Sequence, residues 1–295
     1  MLIVFVLIVA NIFSISIFGS NQTNVSADDE FSVWDGTTQQ ISNNKFNGTG
    51  TEADPFLIED ADDLATLSDV VYREVNGYNS SQVHYKLMAN LDLQNKDFMS
   101  IGYSRSQFKS NFDGNGKTIK NVKALCDRDS ASLDIGLFGA VLQAKISNLT
   151  IENFKVTNQF INKTAYIGAF AGLATTSTFE NCTLKSVTVS AGLYPSKNKS
   201  TIYMGGIVGQ GSTNAEIKNS SAQNSKFTIS DSSSGSIIYA GGLIGHGYGV
   251  SIDQSYSNNQ NVKITSTSSS IYLGGLAGKL NEKSKLTKSF SNINK

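Results

Sequence analysis

Two histidines, two cysteines, two prolines and one tryptophan are all that 295 residues hold of these types. The scarcity of histidine bears directly on chemistry. A zinc-peptidase site needs two histidines one helical turn apart, with a glutamate beside the first. Here His84 is followed by Tyr85 and Lys86, and His246 by Gly247 and Tyr248, so that site is absent. No serine stands in a Gly-x-Ser-x-Gly elbow, and neither histidine is placed to serve as its base, which argues against a hydrolytic triad. Cys126 and Cys182 leave room for one disulfide in an exported chain. Cys182, however, shares a repeat position with Leu149 and Ser220, and a buried free thiol acting as a small apolar side chain is the better reading.

Two further shortages concern charge and helix. The formal net charge is zero. Residues 28–150 hold 18 acidic and 11 basic side chains, and residues 151–295 hold 6 and 13, giving −7 and +7. The basic residues of the second half are dispersed along the sequence, which reads as a solvated face and gives no reason to expect nucleic acid as a partner. From residue 126 onward no i, i+3, i+4, i+7 apolar stripe is long enough for a helix. Serine, threonine, asparagine and glycine dominate instead, as in an exported β protein with a polar surface.

The one long apolar run is Leu2–Phe18. It is broken by Asn11, Ser14 and Ser16, and it is short for a span that needs about 20 residues. Val25-Ser26-Ala27 offers small residues for signal-peptidase cleavage before Asp28. Residues 1–27 are therefore expected to be a signal peptide, with no further membrane span, in a protein that is secreted or held at the cell surface. Residues 28–50, polar apart from Trp34, read as a linker or an N-terminal arm.

What the chain has in abundance is a repeated phrase. Met204–Gly211 reads Met-Gly-Gly-Ile-Val-Gly-Gln-Gly, and it returns at Ala240–Gly247 and Leu273–Leu280. Looser copies stand at Ile135–Val141 and Ile167–Ala174. The leading glycines Gly136, Gly168, Gly205, Gly241 and Gly274 lie 32, 37, 36 and 33 residues apart. A period of this size marks a solenoid. Each period also carries an apolar-x-Asn-like phrase (Ile146, Phe179, Ile217, Ile252 and Leu286 lead its copies) and a β-branched stretch such as Val187–Val189 or Phe227–Ile229. Three short strands per turn are thus expected. The fold class is all-β, a right-handed parallel β-helix, right-handed winding being the default for parallel crossovers. Residues 126–295 form its repeat array.

Residues 51–125 are expected to hold the N-terminal cap and the first rungs. Asp60 is a helix N-cap candidate with Asp63 three residues on, and Leu64, Leu67 and Val71 share one face of the helix that follows. Such a helix can cover the open edge of a first coil. Asp113–Gly116 forms a tight turn. Gly116-Lys117-Thr118 copies only the end of a phosphate loop: Asn111 stands where a glycine is required and no βαβ unit surrounds it.

These residues together resemble the GLUG-motif repeat proteins. The resemblance rests on Ala53–Ile58, Leu87–Leu93, Phe112–Ile119, Gly136-Leu-Phe-Gly139 and the later Gly-Gly-apolar-x-Gly copies, and it covers roughly residues 48 to 295. It departs from the pattern at Gly168-Ala-Phe-Ala-Gly172, which lacks the double glycine. Membership implies a β-helix on bacterial-type surface or secreted proteins, including the non-catalytic region of immunoglobulin-A1 metallopeptidases. It implies no catalytic residue, cofactor or metal.

Two side-chain columns invite a functional reading. The residues after the apolar anchors run Ser147, Glu180, Lys218, Asp253, Thr287. Rungs lie about 4.8 Å apart, so Glu180 and Asp253 would flank Lys218 at about 10 Å, beyond the 6.5–9.5 Å of an inverting glycosidase pair. A cross-rung charge ladder is the plainer account. Tyr166, Tyr203, Tyr239 and Tyr272 each stand two residues before a leading glycine. Turned inward they would stack as packing elements; turned outward they would offer a ligand face to a sugar or a protein.

The function expected from these features is a non-enzymatic adhesion or interaction scaffold, its partner a protein or glycan at a cell surface. The rival reading is the non-catalytic binding arm of a larger secreted hydrolase or protease truncated at residue 295, and a weaker one is a polysaccharide-acting β-helix enzyme. Only Ile293–Lys295 follow the second strand of the last unit, so end-to-end self-association is a further expectation.

Overall fold

The computed structural model describes residues 30–37, 46–126, 132–160, 164–193, 199–231, 235–258, 260–266 and 270–292. Residues 1–27, expected to be a signal peptide, lie outside them. The chain winds into a parallel β-solenoid with, among the described residues, a single α-helix ahead of most of its strands.

One coil illustrates the rest. Thr201–Gly205 belongs to sheet I, Val208–Ser212 to sheet II, Glu216–Lys218 to sheet III, Ser221–Gln223 to sheet IV and Ser225–Asp231 to sheet V. Sheets I and II have five strands, sheets III and IV eight, and sheet V six, with every pairing parallel. Five strands per turn replace the expected three. The glycine phrase is divided between sheets I and II, and sheet IV escaped notice because strands such as Thr183–Leu184 and Ser221–Gln223 bury a single apolar side chain each, Leu184 or Ala222. In sheets I and V strict alternation sends Ile202, Met204, Phe227 and Ile229 into a continuous core.

The sharp bends are made by residues with left-handed backbone. Asn148, Asn181, Asn219, Gln254 and Lys288 turn the chain from sheet III to sheet IV at φ values of 47–55°. Asparagine tolerates this region better than most side chains. Its amides also bond along the axis: Asn181 Nδ2 donates to Asn148 Oδ1 at 3.0 Å, and Asn148 Nδ2 to Asp113 Oδ1 at 2.9 Å. Asn121 and Asn153 repeat the device between sheets IV and V. Serines one residue past the first bend form a second ladder. Ser220 Oγ accepts from Cys182 N, and Ser255 Oγ from Ser220 N, both at 3.1 Å. Cys182 sits fully buried in this column, its thiol directed at the Ile146 and Glu180 carbonyls and its pKa pushed up by burial, and Cys126 is buried too; neither is in a disulfide.

At the N-terminal end the helix spans Ala61–Tyr72, and the Asp60 carboxylate accepts from Asp63 N at 2.8 Å. Leu64, Leu67, Val70 and Val71 are fully buried. Ser68 Oγ donates to the Met99 carbonyl at 2.8 Å, on the edge strand of sheet V, so the helix satisfies an edge that water or another chain would otherwise take. Residues 30–37 are not a free linker. Phe31–Val33 adds an edge strand to sheet IV beside Asn90–Asp92, and Trp34 is buried edge-on against Phe98 at 5.6 Å.

The charged column of sheet III has the expected register, Ser147, Glu180, Lys218, Asp253, Thr287. Its ion pairs differ from the expected ladder. Glu180 pairs with Lys145 of the neighbouring coil at 2.6 Å, and Lys218 pairs with Glu216 of its own strand at 2.5 Å. Side chains two apart on one strand share a face, and this contact competes with the cross-rung one.

Candidate functional site

Sheets I and II fold back on each other at the glycine phrase. A Cβ on Gly205 would lie 2.0 Å from the Val208 carbonyl oxygen, and one on Gly209 would lie 2.5 Å from Ile167 N in the sheet I strand of the preceding coil. The pairs 136 and 139, 168 and 172, 241 and 245, and 274 and 278 meet backbone at comparable distances. Only glycine allows two sheets to touch at the backbone in this way, and the repeated motif is the trace of that contact. Farther from the corner the same two outward faces diverge, and side chains fill the space between them.

From sheet I that space receives Tyr166, Tyr203, Tyr239 and Tyr272, one directly above another. Their ring centroids are 5.1, 5.0 and 4.8 Å apart and their planes differ by 7°, 2° and 13°. All four sequence-derived candidates therefore come together. The first three are half-buried, and Tyr272 is 39% exposed. Stacking leaves each inner ring with both faces against its neighbours, so what the ladder shows to solvent is a row of ring edges.

Sheet II contributes residues that the sequence reading missed: Leu173, Gln210, His246 and Lys279 in a single column. The imidazole of His246 stacks on Tyr203 and Tyr239 at 5.5 and 5.0 Å. Gln210 Nε2 meets its Nδ1 at 3.1 Å, and Asn281 Oδ1 meets its Nε2 at 3.3 Å. These contacts fit a neutral ring protonated at Nε2. Burial lowers the His246 pKa, the Asn281 bond opposes it, and the Lys279 ammonium lowers it further. That ammonium lies 5.2 Å from the Tyr272 centroid, a cation–π contact. A signal for this column was available, because Leu173, Gln210, His246 and Lys279 each stand five residues after a leading glycine.

Asp134 heads the ladder, in register with Tyr166. It is buried, accepts from Ser104 N at 2.7 Å and from the Ser104 hydroxyl, and takes a 3.1 Å bond from Ser132 Oγ. Burial outweighs these donors and raises its pKa, while burial also pushes Tyr166 up to about 12 with Tyr203 and Asp134 adding to the effect. The Tyr166 phenol thus keeps its proton at neutral pH. Because the folded state holds the Asp134 proton to higher pH than the unfolded chain, stability falls as pH rises through the folded pKa. Asp134→Asn is expected to flatten this part of the stability curve, measured as melting temperature from acid to neutral pH. An unchanged slope would rule the account out.

Among the described residues no group of three His, Cys, Asp or Glu could hold a metal ion, and no helix is long and apolar enough to cross a membrane. The chain matches no protein-family model and no curated protein at a significant level. Among solved structures it is similar to a proposed immunoglobulin A1 protease from Bacteroides ovatus, with 20% identity, a TM-score of 0.52, and 83% of this chain and 79% of that chain covered. A second match, the A-module of a mannuronan C-5 epimerase from Azotobacter vinelandii, is 9% identical with a TM-score of 0.18 over 85% and 94% of the two chains, too loose to carry an argument. The first likeness is one of fold, and the chain is a β-solenoid of that repeat type.

Proposed function

We propose that the protein is a secreted or cell-surface scaffold of the GLUG-repeat kind that binds a surface partner without transforming it. The observation that carries this reading is the unbroken register of the coils. Every sheet stacks its strands in parallel register rung after rung, and the tyrosine ladder of sheet I runs through four successive coils. Such a surface sets side chains at one rung spacing along a single axis, which suits an extended polymer or surface better than a small substrate. Multiple weak contacts then add through effective concentration. A second reading, a binding arm of a larger secreted hydrolase, draws on the fold likeness to the proposed immunoglobulin A1 protease.

The test is retention of the full-length chain on a panel of immobilised neutral and acidic glycans and matrix proteins, with released fragments assayed in parallel. Retention without cleavage is expected. Cleavage of any retained polymer, or retention on none, would overturn the proposal.

A further inference from the structure

The outer face of sheet V differs from every other face of the solenoid in its charge. Its strands Phe154–Phe160, Val187–Leu193, Ser225–Asp231 and Asn261–Ser266 pair over six or seven residues, the longest pairings among the described strands. One outward column runs Asp97, Lys123, Lys155, Thr188, Lys226, Asn261, and Asp97 pairs with Lys123 at 2.5 Å. The column beside it includes Thr157, Ser190, Thr228 and Lys263. Lys155, Lys226 and Lys263 are exposed. Among the described residues none of the three forms an ion pair. On sheet III, by contrast, Lys145 and Lys218 are each neutralised by a glutamate. In these four of the six sheet V strands the only acidic residue is Asp231, the last of its strand, while Asp97 on the edge strand is paired with Lys123. The fold thus segregates charges that look dispersed along the sequence.

From this arrangement we propose that the sheet V face binds a linear acidic polysaccharide laid along the solenoid axis, an inference that rests on the scaffold reading and names its partner. Lys155 and Lys226 lie two rungs apart, about 10 Å. Lys263 lies one rung farther and one pleat to the side. Isolated ammonium groups at that spacing are well hydrated and hold a small anion poorly. A polymer with a charge on every repeat engages all three at once and releases its counterions. Hydroxyls stand among and beside the lysines, Thr157, Thr188, Ser190, Thr228 and Thr265, and can bond sugar hydroxyls. No aromatic side chain stands at an outward position among the described residues of these strands, so the face lacks the stacking platform that single-stranded nucleic acid uses.

The experiment compares the full-length chain with K155Q/K226Q/K263Q and with K86Q/K145Q/K218Q, which removes the same charge from sheet III. The probes are heparin and polygalacturonate, with neutral dextran and single-stranded DNA as contrasts. The parent should bind the acidic polymers and ignore dextran, with a log–log salt slope of about −2 for three neutralised anions. The sheet V triple should bind at least tenfold more weakly with an unchanged melting temperature, and the sheet III triple should bind nearly as the parent does. No binding by the parent, equal loss in both triples, or tighter binding to DNA that is lost in the sheet V triple would each overturn the assignment. If the parent still holds to other members of the wider glycan and protein panel, the scaffold reading survives that failure; if it holds to none, both fall.

Discussion

Replacing Tyr203 and Tyr239 together by serine should lower the stability of the solenoid by about 4 kcal/mol. Three ring–ring contacts and both contacts to His246 vanish in that variant. Each aromatic pair contributes about 0.5–1.5 kcal/mol beyond its area. The half-buried ring carbons add a transfer and cavity loss, smaller than that of a fully buried aromatic residue. The double phenylalanine variant keeps the rings and should lose less than about 1 kcal/mol. Urea midpoints of the three proteins decide the matter. If the serine variant unfolds within about 1 kcal/mol of the parent, the ladder is not a packing element, and a ligand-binding role for its ring edges becomes the better account. If it unfolds early while phenylalanine does not, the tyrosines act first through stacking.

The period of the glycine phrase, the capping helix and the αL asparagines could be read directly from the sequence, because each rests on local chemistry. A glycine needed every 32 to 37 residues, an Asp60 followed by Leu64, Leu67 and Val71, and an Asn two residues after Ile146, Phe179 and Ile217 all announce their geometry. The tyrosine column was visible for the same reason, being tied to the glycines by a fixed offset. What sits opposite it was not. His246 and Gln210 reach the tyrosines because sheet II folds back against sheet I, and that approach depends on backbone contacts across neighbouring coils, such as Gly209 against Ile167. The docking of Trp34 is equally non-local, since Phe31–Val33 pairs with a strand almost 60 residues away. Charge segregation escaped notice for a simpler reason. Lys155, Lys226 and Lys263 are far apart in sequence and are joined only by the parallel register.

The glycine contact itself gives the sharpest expected result. Gly209→Ala would place a methyl group 2.5 Å from Ile167 N and 2.6 Å from the Gly172 carbonyl, both backbone atoms with nowhere to go. Sheets I and II would have to separate, and the strain would pass to the coils on either side through the paired strands. A loss of about 3 kcal/mol or more is expected, at the top of the range for overpacked sites. Gly249→Ala supplies the control. Its Cβ would meet nothing within 4 Å, but its φ is +63°, so only the left-handed penalty of about 1–2 kcal/mol applies. The ordering of the two midpoints separates the explanations for the repeated motif. If the glycines were kept for backbone freedom, Gly249→Ala would be the more damaging change, and Gly209, whose φ is not positive, would tolerate alanine. If they are kept for close approach, Gly209→Ala is the worse of the two. It should also disturb Tyr166 and Tyr203, whose strand carries Ile167 and its partner Met204, and near-ultraviolet dichroism should lose the signature of the stacked rings. An intact ring signal together with an unshifted midpoint would mean that the sheets do not meet at that corner.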